Sequence, residues 1–230
     1  MPVAPELIPT DELERLAAVR RYDILDTPAD GAFDRITRIA AQVLAVPIAI
    51  ITLVDHDRIW FKAAEGINDV EEIGREAGLC ASAILVDEPW IVENARNDPR
   101  TLANPLVAGE FGLQFYAASQ LRTSDGYNLG TLCVIDREPR SLDEVQTQVL
   151  TDLAALVVDE LELRLAARKQ ARRATELNDD VVQALATAKL ELQTGRHEQG
   201  LGSLDLALDA SKRILAELVE DTPTLRRSDS

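Results

Sequence analysis

The chain has 230 residues, 46% of them hydrophobic, and a formal net charge of −16. That length holds one domain of ordinary size with an appendage, and the apolar content suffices for a sizeable core. The strong negative balance argues against nucleic acid or an anionic membrane surface as a partner, because both require basic patches.

The N-terminal run MPVAPELIPTDELERL has no basic start and no apolar stretch, so it does not read as a secretion signal. Thr10 is a suitable N-cap, with Asp11 and Glu12 in the first turn and Leu13, Leu16 and Val19 at helical spacing. After the connector YDILDTP (residues 22–28), a second helix is predicted over 30–46. Phe33, Ile36, Ile39, Ala40, Val43 and Leu44 form its apolar face, and Pro47 ends it. The continuous β-branched run 48–54 reads as a buried strand. The longest apolar run, residues 43–54, is 12 residues long and contains Pro47 and Thr52. A membrane span needs about 20. Residues 58–64 predict another strand, 65–78 a polar loop, 79–86 a short helix, and 90–93 a strand. The stretch 95–114 is a long connection with at most a short helix in it.

Two apolar runs, 115–121 and 130–135, flank Ser124-Asp125-Gly126 and predict a hairpin. Both of its faces are apolar, so both require cover. From Ser141 a long helix is expected, with Leu142, Val145, Val149, Leu153 and Leu156 on one side and no break until about Gln193. About five strands that do not alternate with helices indicate an α+β fold with an antiparallel sheet. After a turn at 194–200, Leu201, Leu204, Leu208, Ser211, Leu215 and Leu218 recur at heptad spacing. Val181, Leu185, Ala188 and Leu192 do so before it. Two such helices make an αα-hairpin, and a second copy of the chain would cover its seams as a four-helix bundle. The expected bundle residues are Val181, Leu185, Leu192, Leu204, Leu208 and Leu215. Residues 222–230 read as a frayed tail.

The segments YDILDTP, FDRI, PIAIITLVD, DRIWFKAAEG, LCASAI, NDPR, NPLV, FYAASQL, DGYNLGTLCVID and PRSL occur in this order. Together they resemble a large bacterial branch of GAF domains found at the front of signalling proteins. The resemblance covers residues 11–164. It implies an antiparallel sheet with flanking helices, a sensory or dimerisation role, and a ligand cavity on one side of the sheet. Two departures stand out. Ser82 occupies a position where relatives often carry His, and Ala118-Ser119-Gln120 replaces a Gly-Ala-Pro run. Both fall in regions expected to line the pocket, so the identity of the small ligand is not carried over. The candidate pocket residues are Phe61, Cys80, Ser82, Tyr116 and Cys133.

Haem requires an axial ligand, and the two histidines, His56 and His197, both fall in predicted turns. No His/Cys cluster has metal-ligand spacing, so no metal is expected. Two cysteines are too few for a disulfide framework, and reduced thiols in a cytoplasmic setting are the expectation. Both read first as packing residues. A redox role for Cys80, at the start of a short helix, is the alternative. The cysteine constellation of the GAF proteins that reduce free methionine sulfoxide is not evident.

Residues 176–185, ELNDDVVQAL, resemble the phosphoacceptor segment of one histidine-kinase class, in which His-Asp-x-x-x-Gln opens the dimerisation hairpin. Asp179 and Gln183 match, but Asn178 stands at the His position. An amide nitrogen, delocalised into its carbonyl, is no nucleophile at neutral pH, so autophosphorylation is expected to be lost. The chain ends at Ser230 with no nucleotide-binding domain after the hairpin. The resulting expectation divides the chain into a GAF domain (11–164), a connecting helix (165–175), a degenerate kinase-like hairpin (176–221) and the tail. It is a homodimeric, non-catalytic signalling protein, not an enzyme, whose hairpin docks a response regulator or a separate kinase or ATPase domain. The alternatives are a phosphatase accessory acting through Gln183 and a redox sensor built on Cys80.

Overall fold

A computed structural model describes residues 7–220, except for the side chains of residues 177, 215 and 217–220. The chain divides into two compact units, one ending at Arg164 and the other beginning at Leu165. Helices α1 (Glu12–Arg21) and α2 (Gly31–Val43) come first, followed by strands β1 (Ile48–Val54), β2 (Arg58–Glu65) and β3 (Glu72–Gly74). A 3-10 turn (Arg75–Ala77), α3 (Leu79–Ala83), β4 (Trp90–Val92) and α4 (Pro105–Ala108) lead to β5 (Phe115–Arg122) and β6 (Asn128–Asp136). The chain closes with α5 (Glu144–Gln193) and α6 (His197–Glu220).

The strands form one sheet in the order β3-β2-β1-β6-β5-β4, with every neighbouring pair antiparallel. The expected α+β architecture is therefore present, with six strands instead of five. The added strand, β3, lies in the stretch expected to be a loop. It is only three residues long and pairs at the sheet edge with Arg58, Ile59 and Trp60, so no alternating pattern marks it. The central hairpin is buried along its length, and Gly126 takes φ +95° in its turn, a conformation open to glycine. In the β1–β2 pairing, Lys62 is the extra residue of a bulge between Ile51 and Thr52. Its ammonium donates to Thr27 Oγ1 and the Pro28 carbonyl beside α2. Its neighbour Phe61 packs with the α3 core. Thus α2 and α3 cover opposite faces of the sheet.

Three sequence-based details are corrected. The N-cap of α1 is Asp11, not Thr10, and Leu13 is 78% exposed, while Arg15, Leu16, Ala18 and Val19 are buried. Helix α2 stops at Val43 because Ala45 turns into the left-handed region at φ +52°, two residues before Pro47. On α5 the buried stripe is Leu150, Leu153, Ala154, Val157 and Leu161. Val145 and Leu156 are exposed, so the stripe is rotated from the one expected. The packed side of a long, mixed helix is decided by what it docks on, and here the anchors are specific. Glu162 accepts a hydrogen bond from Tyr22, the residue that caps the C-terminus of α1. Arg164 pairs with Asp30 at 2.8 Å and lies over the Phe33 ring. Asp30 also caps α2 by accepting from Ala32 N. The Arg164 guanidinium and then that backbone bond hold its carboxyl down at about 2.

A buried charge cluster fastens α1 to the sheet. Glu12 receives hydrogen bonds from both Arg15 and Arg75, whose side chains are 2% and 1% exposed. Arg15 also donates to the Val54 and Asn128 carbonyls, and Arg75 to those of Leu7, Asp55 and His56. Burial pushes the Glu12 carboxyl up, but the hydrogen bonds from the two arginines outweigh it and hold the group below its ordinary value.

In the second unit, α5 from residue 165 and α6 form the expected αα-hairpin, closed by Gly195 at φ +78°. Within one chain the contact is made by small residues. Ala188, Ala207 and Ala210 are buried, and Gly200 sits so close to Leu192 that an added Cβ would lie 2.7 Å from its Cγ. Ser203 bonds across to Glu191 at 2.8 Å. Among the described residues, no helix is long and apolar enough to cross a membrane.

Candidate functional site

The α3 side of the sheet encloses a cavity of about 160 Å³. Its floor comes from alternate residues of adjacent strands: Ile50 and Thr52 of β1, Phe61 of β2, Tyr116 of β5, and Cys133 and Ile135 of β6. One wall is Gly78, Leu79 and Cys80 at the start of α3. The other is the loop residues Ile67 and Val70 with Ile73 of β3, and Leu106 of α4, Phe111 and Leu113 complete it. Among the described residues, no charged side chain lines the cavity.

Its polar spot is one cluster. Cys80 Sγ lies 4.0 Å from Cys133 Sγ and receives the Tyr116 hydroxyl at 3.2 Å. Both thiols are free and buried. The Thr52 and Thr131 hydroxyls, 3.0 Å apart, complete the cluster. Hydrogen bonding from Cys133 outweighs burial and, with help from the hydroxyls of Thr131, Tyr116 and Thr52, holds the Cys80 thiol below its ordinary range. Cys133, as the partner of that group, is pushed well up, first by its hydrogen bond to Cys80 and then by burial. Burial, and the two thiols beside it, likewise raise the Tyr116 hydroxyl. The Tyr116 ring is held edge-on against Trp90, with centroids 5.5 Å apart.

Of the five pocket residues named from sequence, the cavity brings together Phe61, Cys80, Tyr116 and Cys133. Ser82 is half-buried on α3 and is not among the lining residues. The run Ala118-Ser119-Gln120 is buried but lies outside the cavity as well. Gln120 instead donates to the Ala83 and Glu88 carbonyls, both at 2.8 Å, and so tethers the end of α3. Sequence reasoning missed the wall residues Ile67, Val70, Ile73, Phe111 and Leu113. Their one signal was being large apolar residues inside otherwise polar connections.

The residues singled out in the hairpin belong to the second unit. Asn178, Asp179 and Gln183 are exposed on α5. Val181 and Leu192 are half-buried, Leu185, Leu204 and Leu208 are 46%, 37% and 54% exposed, and the Leu215 side chain lies outside the described residues. His56 is exposed in the β1–β2 turn and His197 is exposed at the start of α6.

The model of the GAF domain family matches residues 28–161. A cyclic di-GMP phosphodiesterase of Pseudomonas aeruginosa is 42% identical over 151 residues, which are 65% of this chain and 26% of that protein. The chain thus spans about a quarter of the length of the curated relative it matches. Among solved structures, the GAF domain of a phosphoenolpyruvate-protein phosphotransferase from Coxiella burnetii superimposes with a TM-score of 0.51 at 18% identity. It covers 69% of this chain and 96% of its own. Its counterpart from Acinetobacter gives 0.49 at 19% identity, over 68% of this chain and 98% of its own. At these identities the likeness is one of fold.

The relative's name corrects one expectation. The chain was expected not to be an enzyme, on the grounds of Asn178 and of the missing nucleotide-binding domain. Those grounds bear only on histidine autophosphorylation, and a chain that spans a quarter of its relative says nothing by where it ends. A relative this similar is an enzyme by name, so the exclusion does not stand. The family model covers more than half of the chain, its match falls on the sheet and the helices that flank it, and the chain belongs to the GAF domain family.

Proposed function

We propose that this GAF domain is a sensory module that reads a small, uncharged, largely apolar molecule in the cavity beside α3. The observation that carries this is the cavity itself: about 160 Å³, with no charged residue in its lining among the described residues. A dry apolar cavity of about 150 Å³ holds a benzene-sized molecule. A phosphate group would be buried there without a counter-charge, which is costly. The 42% identity to a cyclic di-GMP phosphodiesterase supports a place in signalling, as the shared part of a larger regulatory design. Occupancy of the cavity biases α5, which supplies residues to both units, and the hairpin presents the result to a partner.

The exposed leucines 185, 204 and 208 support a second copy of this chain as one partner, forming a four-helix bundle. A response regulator or a separate kinase or ATPase domain is the proposed downstream partner. Asn178 carries an amide where phosphoryl transfer would need an imidazole, so the hairpin docks its partner instead of accepting a phosphoryl group. The test is thermal unfolding followed by the fluorescence of Trp60 and Trp90, with benzene or toluene as one set of probes and cyclic nucleotides as the other. A single-ring neutral probe at a hundred times its Kd should stabilise by about 2.7 kcal/mol. Stabilisation by nucleotides alone would refute this reading. Sedimentation of Leu185→Lys and Leu208→Glu should show loss of the dimer, and an unchanged dimer would remove the bundle.

A further inference from the structure

We propose that Cys80 and Cys133 form a dithiol that small organic hydroperoxides, entering the cavity, oxidise to an intrachain disulfide. The proposal rests on the cavity being open to small ligands and names a class of molecule that it takes. The two cysteines are 53 residues apart in sequence and on different elements, yet their sulfurs are 4.0 Å apart. A disulfide bond is about 2.05 Å long. The gap is closed by rotating two side chains and shifting α3, which is only five residues long. Both sulfurs line the cavity, and Val70 of the same lining is 41% exposed, so the proposed route for a small molecule is past Val70.

The two sulfurs are not equivalent. Tyr116 donates its hydroxyl hydrogen to Cys80, which marks Cys80 as the attacking thiolate and Cys133 as the resolving thiol. The Cys80 thiolate attacks the outer oxygen of R–O–O–H, and the O–O bond breaks. The leaving alkoxide takes the proton given up by Cys80, so the products are the Cys80 sulfenic acid and R–OH. Cys133 sulfur then attacks Cys80 sulfur and the S–O bond breaks. Hydroxide leaves with the Cys133 proton as water. In sum, two thiols and one hydroperoxide give one disulfide, one alcohol and one water, with two electrons passed from sulfur to oxygen. The Tyr116 hydroxyl stabilises the thiolate and relays the proton. Apolar walls favour an alkyl hydroperoxide over hydrogen peroxide. The product ties α3 to β6 across the cavity and closes the space to other ligands.

The chain has two cysteines in all, so no other thiol competes for the oxidant. Reduced full-length protein is treated with tert-butyl hydroperoxide, denatured with a maleimide present, and weighed intact. The expected result is loss of two hydrogens, no maleimide uptake and no cross-linked dimer on a non-reducing gel. Cys133→Ala should trap a dimedone-reactive sulfenic acid on Cys80, and Cys80→Ser should leave Cys133 unoxidised. Tyr116→Phe should slow the reaction about tenfold, the worth of one hydrogen bond to a charged sulfur. Two maleimides on treated wild-type protein would overturn the proposal and leave the pair as packing residues. Equal rates with hydrogen peroxide would overturn the selectivity. Toluene binding to the reduced wild-type protein, measured without oxidant, reports separately on the sensory reading.

Discussion

Replacing Glu12 by Gln should destabilise the sheet-bearing unit by about 3 kcal/mol, the lower end of the cost of breaking a buried ion pair. The carboxylate lies between two guanidinium groups that are almost wholly enclosed, 2% and 1% exposed. The other acceptors of Arg15 and Arg75 are the carbonyls of Val54, Asn128, Leu7, Asp55 and His56, which bring no negative charge. Without Glu12, two buried cations face each other uncompensated. Glutamine keeps the volume and one acceptor oxygen, which is why the lower end applies. A loss of that size is a large part of a total stability of roughly 5–15 kcal/mol. With a urea slope of about 2–3 kcal/mol per molar, the midpoint should fall by about 1–1.5 M. Both tryptophans, Trp60 and Trp90, lie on strands of this unit, so fluorescence follows its unfolding and not that of the hairpin. Asp125→Asn is the control. It breaks a pair with Arg21 whose side chains are 36% and 43% exposed, and should cost about 0.5 kcal/mol or less. A Glu12→Gln midpoint equal to that of the control would refute the argument that this cluster holds α1 in place.

Other outcomes follow from the same structure. Glu12 and Asp30 both titrate below their ordinary values, so they stabilise the fold above the unfolded-state values of 4.5 and 3.8. That stabilisation is lost as pH falls through the folded values. Urea stability should be level from neutral pH to about 5 and then decline, less steeply in Glu12→Gln, and an equal decline in both proteins would contradict this. Leu150→Ala, at the fully buried head of the α5 stripe, should cost about 2–5 kcal/mol, whereas Val145→Ala, at a site 72% exposed, should be near neutral by the same urea assay. Gly200→Val should loosen the α5–α6 hairpin, because its side chain enters the space of Leu192 and the Ala188 carbonyl. Loss of helical ellipticity at lower temperature with an unchanged tryptophan transition would bear this out, and an unchanged helical transition would count against it.

Local signals carried much of the fold. The β-branched run of β1, the Asp-Gly turn between β5 and β6 and the heptads of the final hairpin are written in nearest-neighbour chemistry, and the elements form there. The pocket was legible where its residues stand out from their apolar surroundings. Cys80, Tyr116, Cys133 and Phe61 could be named because their side chains carry chemistry or bulk. The far wall, from Ile67 to Leu113, was not legible, because its residues lie in loops and in elements of three or four residues, whose paths are fixed only by packing. The paired departures Ser82 and Gln120 misled for a related reason. Alignment position places a residue on an element, but not on the cavity side of it.

By itself, the sequence determined the longer strands and helices, that the sheet is antiparallel, and that both its faces need cover. These follow from periodicity and turn chemistry, which act over a few residues. Only the tertiary structure decided which side of α5 is buried, that Lys62 leaves the ladder at a bulge, and that Arg15 and Arg75 share Glu12. It also brought two sulfurs 53 residues apart to within 4.0 Å. Each of these depends on where distant elements meet, and the free energy of a buried contact is set by the partner as much as by the residue itself.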